Sequence, residues 1–264
     1  AMPEGPLVYR QKLLTRITHW VWAVSLFFLM LTGLQIFNAF PSLHIGPDSG
    51  FDYDNAILTI GAREVGGELQ GVTRVLGAEF DTTGILGVSG GEARAFPAAL
   101  TIPSSQSLAT GRVIHFFFAW LLVGTLILWL VASALNGHLR QLVPTLSDLR
   151  ALPRDVADHI RLRFHHKAEY GALQKLAYAS VLFLALPLMI LTGLSMSPGM
   201  NAAAPWLLDV FQGRQTARSI HFLTMVGLIA FFAVHMAMIL LAGPLNEMRS
   251  ILTGWYRTDG DKDD

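Results

Sequence analysis

The sequence predicts an all-α membrane protein, a transmembrane four-helix bundle with a long outer, periplasmic loop inserted between the first and second helices. Three observations predict it. The 264-residue chain is 52% hydrophobic and only 14% charged, with a mean hydropathy of +0.46, whereas an average soluble chain carries roughly 25% charged residues. Four apolar runs, at about 12–37, 112–136, 171–196 and 217–242, supply the ~20 residues that a helix needs to cross a bilayer. The basic residues of the connections are distributed unevenly, as expected when they orient a membrane chain.

Taken in order, the N-terminal segment carries Arg10, Lys12 and Arg16 against Glu4. The first apolar run is longer than a signal-peptide core and no A-x-A-like cleavage site follows it, so it is expected to stay as an anchor. The connection 38–111 is acidic: up to Arg112 it holds four arginines against eight acids, and half of the 24 glycines. A structureless connection of that length is uncommon and tends to be functional. Alternating stretches at Ala56–Ile60 and Val72–Leu76, around Gly66-Gly67, have the pattern of a small hairpin. The connection 137–170 is basic, with Arg140, Arg150, Arg154, Arg161, Arg163 and Lys167 against four acids. These charges place both termini and 137–170 in the cytoplasm and 38–111 outside. The whole of 1–264 reads as a single integral membrane domain. A net charge of zero gives no argument for nucleic-acid binding. The absence of cysteine excludes disulfides, thiolate metal sites and the C-x-x-C-H attachment of c-type haem.

Three segments spell Arg-x-x-His-aromatic: Arg16 to Trp20, Arg112 to Phe116 and Arg218 to Phe222. A fourth histidine, His235, follows His221 by 14 residues in the same apolar run. Ionisable groups are costly within a membrane and signal function there by default. At 1.5 Å per residue, His221 and His235 lie about 21 Å apart along their helix and within roughly 40° of the same face. Helix direction puts His115 and His221 near the outer surface, and His19 and His235 near the inner one. Depth therefore pairs His19 with His235 and His115 with His221. Without cysteine or nearby carboxylates, two non-covalent b-type haems are the expected occupants. Arg16, Arg112 and Arg218 each sit one turn on the aqueous side of a ligand, where a guanidinium can meet a haem propionate. Gly33, Gly124, Gly193 and Gly227 are candidates for making room beside the macrocycle, and equally for close helix packing. His44, His138, His159, His165 and His166 are expected in the connections.

An internal repeat accompanies this pattern. Leu31-Thr32-Gly33-Leu34 of the first run echoes Leu191-Thr192-Gly193-Leu194 of the third, and Arg112–Phe116 echoes Arg218–Phe222. The ligands do not obey the repeat. Ala179 falls where the third run would match His19, and Trp129 where the second would match His235. Any haem must then bridge the two halves.

The Arg-x-x-His-Trp and Arg-x-x-His-Phe openings, Gln174-Lys175-Leu176-Ala177-Tyr178 at the start of the third run, and the His-x13-His of the fourth resemble the di-haem cytochrome b family. That family includes bacterial cytochrome b561, the formate dehydrogenase gamma subunit and the nickel–iron hydrogenase b-type cytochrome. Ser104 to Arg112 and Gly243 to Arg249 are most similar to the thiosulfate-reductase-like cytochrome b branch. The resemblance implies a bacterial inner-membrane subunit that transfers electrons between the quinone pool and a periplasmic partner, a molybdopterin-dependent oxidoreductase. It implies the same four ligands and a quinone site at the start of the third helix, near Tyr170, Gln174 and Lys175. Gly171 stands where related proteins often have asparagine. Two rival functions remain: a stand-alone membrane cytochrome b561-type oxidoreductase, such as a superoxide:quinone enzyme, and a haem-free membrane anchor or metal permease.

Overall fold

The computed structural model describes residues 5–50, 53–161, 163 and 170–259; His165 and His166 lie outside them. In chain order, β1 (Leu7–Tyr9) leads into α1 (Leu13–Phe37). Six strands follow: β2 (Ser42–His44), β3 (Ala56–Val65), β4 (Glu68–Val75), β5 (Ala78–Asp81), β6 (Gly87–Ser89) and β7 (Glu92–Arg94). Then come α2 (Leu108–Leu135), α3 (Leu139–Leu142), α4 (Leu146–Ile160) and α5 (Ala172–Ser180). A π-helical turn at Val181–Ala185 joins α5 to α6 (Leu186–Ser195). The chain continues through α7 (Pro198–Ala203), α8 (Trp206–Val210), α9 (Arg214–Ala242), α10 (Pro244–Thr253) and β8 (Trp255–Arg257).

Four helical runs are long and apolar enough to cross a membrane: α1, α2, α5 through α6, and α9. Their ends fall close to the expected ones, and the largest departure is at α2, which begins at Leu108 rather than near 112. Apolar side chains such as Phe117, Trp120, Leu184 and Phe232 are exposed on these helices; lipid, not protein, is their natural cover. Small polar side chains are among the most buried, with Ser25, Thr32, Thr192 and Ser195 fully enclosed, as expected where membrane helices approach closely. The π turn precedes Pro187, which has no N–H to give and whose ring crowds the previous turn; widening that turn relieves both.

The all-α expectation is corrected between α1 and α2. There β2-β3-β4-β5 form a four-stranded antiparallel sheet, and β6 and β7 a two-stranded one. The expected hairpin exists but is longer, pairing Leu58–Val65 with Glu68–Val75. Gly66 and Gly67 close it with φ of 63° and 86°, the left-handed pair a two-residue hairpin turn requires. Its outer half was invisible as a strand because Gly61–Val65 is exposed on both faces, so no apolar alternation marks it.

The chain forms two compact units. One comprises residues 1–22, 124–187 and 226–264. In it β1 pairs with β8, so the segments before α1 and after α10 are tied together. Helix α4 begins with a reciprocal cap between Thr145 and Asp148, and Lys175 on α5 meets both Asp148 oxygens at 3.1 Å.

The other unit comprises residues 23–123 and 188–225. Its insert is rooted by Phe37, Leu43, Ile60 and Ala95, with Phe222 packed against them. Arg94 is 6% exposed and donates to the Phe96 and Ser104 carbonyls and to Thr101 Oγ1 at 2.7–2.9 Å. That set meets the needs of a buried guanidinium. The first turns of α9 are laced to the insert: Ser219 Oγ donates to the His44 carbonyl at 2.7 Å, and the Gly46 N–H to Thr216 Oγ1 at 2.8 Å.

Candidate functional site

The four histidines of the membrane-length helices form two facing pairs, each within one unit. His19 of α1 faces His235 of α9 with ring centroids 6.4 Å apart and planes at 52°. His115 of α2 faces His221 of α9 at 6.5 Å and 55°. These are the pairs that sequence depth selects. Two imidazoles bonded to one metal from opposite sides, with metal–nitrogen bonds of roughly 2 Å, put their ring centres about 6 Å apart. The spacing suits an iron held between the rings.

The surroundings of the pairs differ. Thr32 Oγ1 lies 2.9 Å from His115 Nδ1, and Thr192 Oγ1 lies 2.9 Å from His221 Nδ1. A Cβ on Gly33 would stand 3.6 Å from His115 Cε1, and one on Gly193 would stand 3.4 Å from His221 Cε1. The repeated Leu-Thr-Gly-Leu phrase is thus the surface against which the second helix of each half sets its histidine. Sequence reading noticed the repeat but missed the two threonines. The signal was there, since Leu-Thr-Gly-Leu recurs unchanged in the first and third runs. His19 Nδ1, by contrast, is buried with no hydrogen-bond partner. His235 stacks on Phe231 at 5.7 Å, one turn earlier on α9. Gly124 and Gly227 have no neighbour within 4 Å of where a Cβ would stand. Trp129, at the repeat position matching His235, is 2% exposed and donates from Nε1 to Thr15 Oγ1 at 3.1 Å.

The three arginines are used differently. Arg16 donates to the Leu252 carbonyl, and its Nε is buried without a partner. Arg112 is exposed and lies over the Phe116 ring at 5.6 Å. Arg218 donates to the carbonyls of Ser42, at 2.7 Å, and Phe40, and lies over the Phe37 and Phe40 rings. Arg218 thus holds the insert. A guanidinium has five N–H groups, so this leaves others free to point elsewhere.

At the start of α5, Gln174 accepts from the Gly171 N–H at 3.2 Å as a helix cap, and Lys175 is paired with Asp148. Tyr170 has more polar company. Its hydroxyl accepts from Gln11 Nε2 at 3.0 Å, its ring lies under Arg10 at 4.6 Å, and it meets Tyr178 edge-on at 5.6 Å. Arg10 also covers Tyr256 at 4.5 Å, and the Tyr256 hydroxyl donates to Glu247 at 3.1 Å. Burial and the Glu247 carboxylate push the Tyr256 hydroxyl pKa up, so it stays protonated and serves as a donor. Of the remaining histidines, His44 is stacked on Phe40 at 5.7 Å. His138 is buried, within 3.1 Å of Gln141 Oε1, and His159 Nδ1 is 2.7 Å from the Asp155 carbonyl. Among the described residues no group of three or more His, Asp or Glu side chains is placed to hold a metal ion.

Comparison with known proteins adds two findings. The chain is 31% identical over 129 residues to the "Putative protein-methionine-sulfoxide reductase subunit YedZ1" of Azospira oryzae, a match covering 48% of this chain and 63% of that protein. The chain therefore spans less than two thirds of that relative's length. A family model described as prokaryotic cytochrome b561 matches residues 10–254. With helices made to cross a membrane, opposed histidines and a match over nearly all its length, the chain belongs to the prokaryotic cytochrome b561 family.

Proposed function

We propose that this protein is a bacterial inner-membrane subunit with two b-type haems, moving electrons between a periplasmic oxidoreductase and the quinone pool. Family membership implies b-type haem. The observation that carries the rest is the pair of opposed imidazole sets on membrane-length helices. His19 and His235 would hold one haem on the cytoplasmic side, and His115 and His221 the other on the periplasmic side. Bound there, haem iron supplies a one-electron couple whose potential its protein surroundings set. The helices partly bury the four imidazoles. Arg16, Arg112 and the N–H groups that Arg218 keeps free would be the partners of the propionates at the aqueous edges.

The loop charges place both termini in the cytoplasm. The quinone site lies at the start of α5, where Tyr170 offers a hydroxyl; Gln174 and Lys175 shape the rim, since their polar groups serve the cap and the ion pair. The sheet-bearing insert between α1 and α2 is the platform for the periplasmic partner. A partner that reduces methionine sulfoxide, built on molybdopterin, agrees with the name of the Azospira oryzae relative and with the cytochrome branch the sequence resembles. An ordered insert rooted on α9 favours this reading over a stand-alone oxidoreductase.

The deciding measurement is the haem content and reduced visible spectrum of the purified chain. Two haems per chain with sharp b-type α-bands are expected, with one lost in His235→Ala and the other in His221→Ala. A chain that binds no haem, or holds both in each variant, overturns the assignment.

A further inference from the structure

We infer that Thr32 and Thr192 are positioning residues that lock His115 and His221 in one tautomer, so that this ligand pair is pre-set for iron while His19 of the other pair is not. The inference deepens the haem reading above and rests on it.

A threonine hydroxyl has one proton to give and two lone pairs to accept with. Thr32 Oγ1 lies 2.7 Å from the Phe28 carbonyl, and Thr192 Oγ1 lies 2.6 Å from the Leu188 carbonyl, each one turn back in its own helix. A carbonyl only accepts, so both hydroxyl protons are spent there. The contacts at 2.9 Å to His115 Nδ1 and His221 Nδ1 must then be donated by the imidazoles. Each imidazole also meets a backbone carbonyl, that of Leu29 for His115 and that of Met189 for His221, and a carbonyl can only accept. Nδ1 therefore carries the hydrogen in both rings, and Nε2 keeps the lone pair that a metal needs.

Two consequences follow. The acceptors hold both rings in a ligating orientation before any metal arrives, which removes an ordering cost from binding. They also draw the Nδ1 proton away from the ring, making Nε2 a stronger donor that favours the oxidised iron. The repeat explains why this device occurs twice: Thr32 on α1 serves α2, and Thr192 on α6 serves α9, the same helix of each half. His19 has no such support, because its Nδ1 is buried without a partner. The repeat carries no ligand at Trp129 or Ala179, so the second pair was built without the Thr-Gly device.

The test uses the full-length chain in detergent with a spectroelectrochemical titration and low-temperature spectra of the ferric low-spin signals. Thr32→Val with Thr192→Val keeps the shape and removes the acceptor. Thr32→Ser with Thr192→Ser keeps the acceptor and removes the methyl. The valine variant should raise the midpoint of one haem, alter that haem's ferric signal and weaken its retention by roughly tenfold, the low end for loss of a ligand's supporting partner because the carbonyls remain. The other haem should be unchanged, and the serine variant should match the parent. Loss of one haem in the valine variant with both kept in the serine variant supports the inference. An unchanged haem in the valine variant, or equal damage in the serine variant, overturns it while leaving the ligand assignment standing. A parent chain without b-type bands overturns the haem reading and this inference with it.

Discussion

Side chains of one type do different work here according to what surrounds them. Asp148 accepts from the Thr145 N–H and hydroxyl and from Lys175, which together hold its carboxyl at about 2, well below its ordinary value. A carboxylate depressed on folding adds stability above its unfolded pKa of about 3.9. That stability is lost as pH falls toward the folded value. The melting temperature should therefore decline between pH 4 and 2, and Asp148→Asn should flatten that decline while lowering stability at pH 7. At Tyr170 the hydroxyl is the proposed quinone contact. Tyr170→Phe should raise the apparent KM for a quinol analogue about fivefold, from about 1 kcal/mol for a lost hydrogen bond, without changing haem content. Steady-state quinol oxidation beside a haem spectrum checks both parts.

The elements show where local chemistry sufficed. Helix α4 is polar, and its reciprocal Thr145–Asp148 cap is readable as a pattern of residue types. Thr145→Ala should cost about 1 kcal/mol and speed amide exchange in the first turn of α4, without altering either haem. The outer half of the hairpin shows the opposite case. It is held by β3–β4 pairing and surface contacts such as Arg63 with Gln70 at 2.9 Å. Its far end, Glu64–Leu69, is exposed and contributes nothing to the core beneath. Helix α9 is a membrane run whose first turns also carry the insert, because Thr216, Arg218 and Ser219 bond to Gly46, Ser42 and His44.

For the molecule as a whole, these contacts determine how the partner proposal is tested. Removing residues 50–95 would take Ile60 and Ala95 from the core that touches Phe222, the neighbour of His221. A cut that large would confuse partner loss with damage to a histidine pair. Deleting only Glu64–Leu69, with Val65 and Leu69 exposed at the tip, should keep both haem bands and lower affinity for the periplasmic partner. Co-purification with that partner and a visible spectrum separate the two effects. Unchanged co-purification would move the docking surface elsewhere on the insert.

The membrane runs and the choice of histidine partners were legible in the chain itself, because both depend on one dimension. Twenty apolar residues span a bilayer whatever their neighbours, and helical rise turns a position such as His235 into a depth. The sheet in the insert, the threonine support of His115 and His221, and the engagement of Arg218 with Ser42 and Phe40 were decided only in three dimensions. Each joins residues distant in sequence through side-chain direction and hydrogen-bond geometry, and no apolar period along the chain encodes those directions. That is why three arginines in the same Arg-x-x-His phrase read alike and yet are used in three different ways.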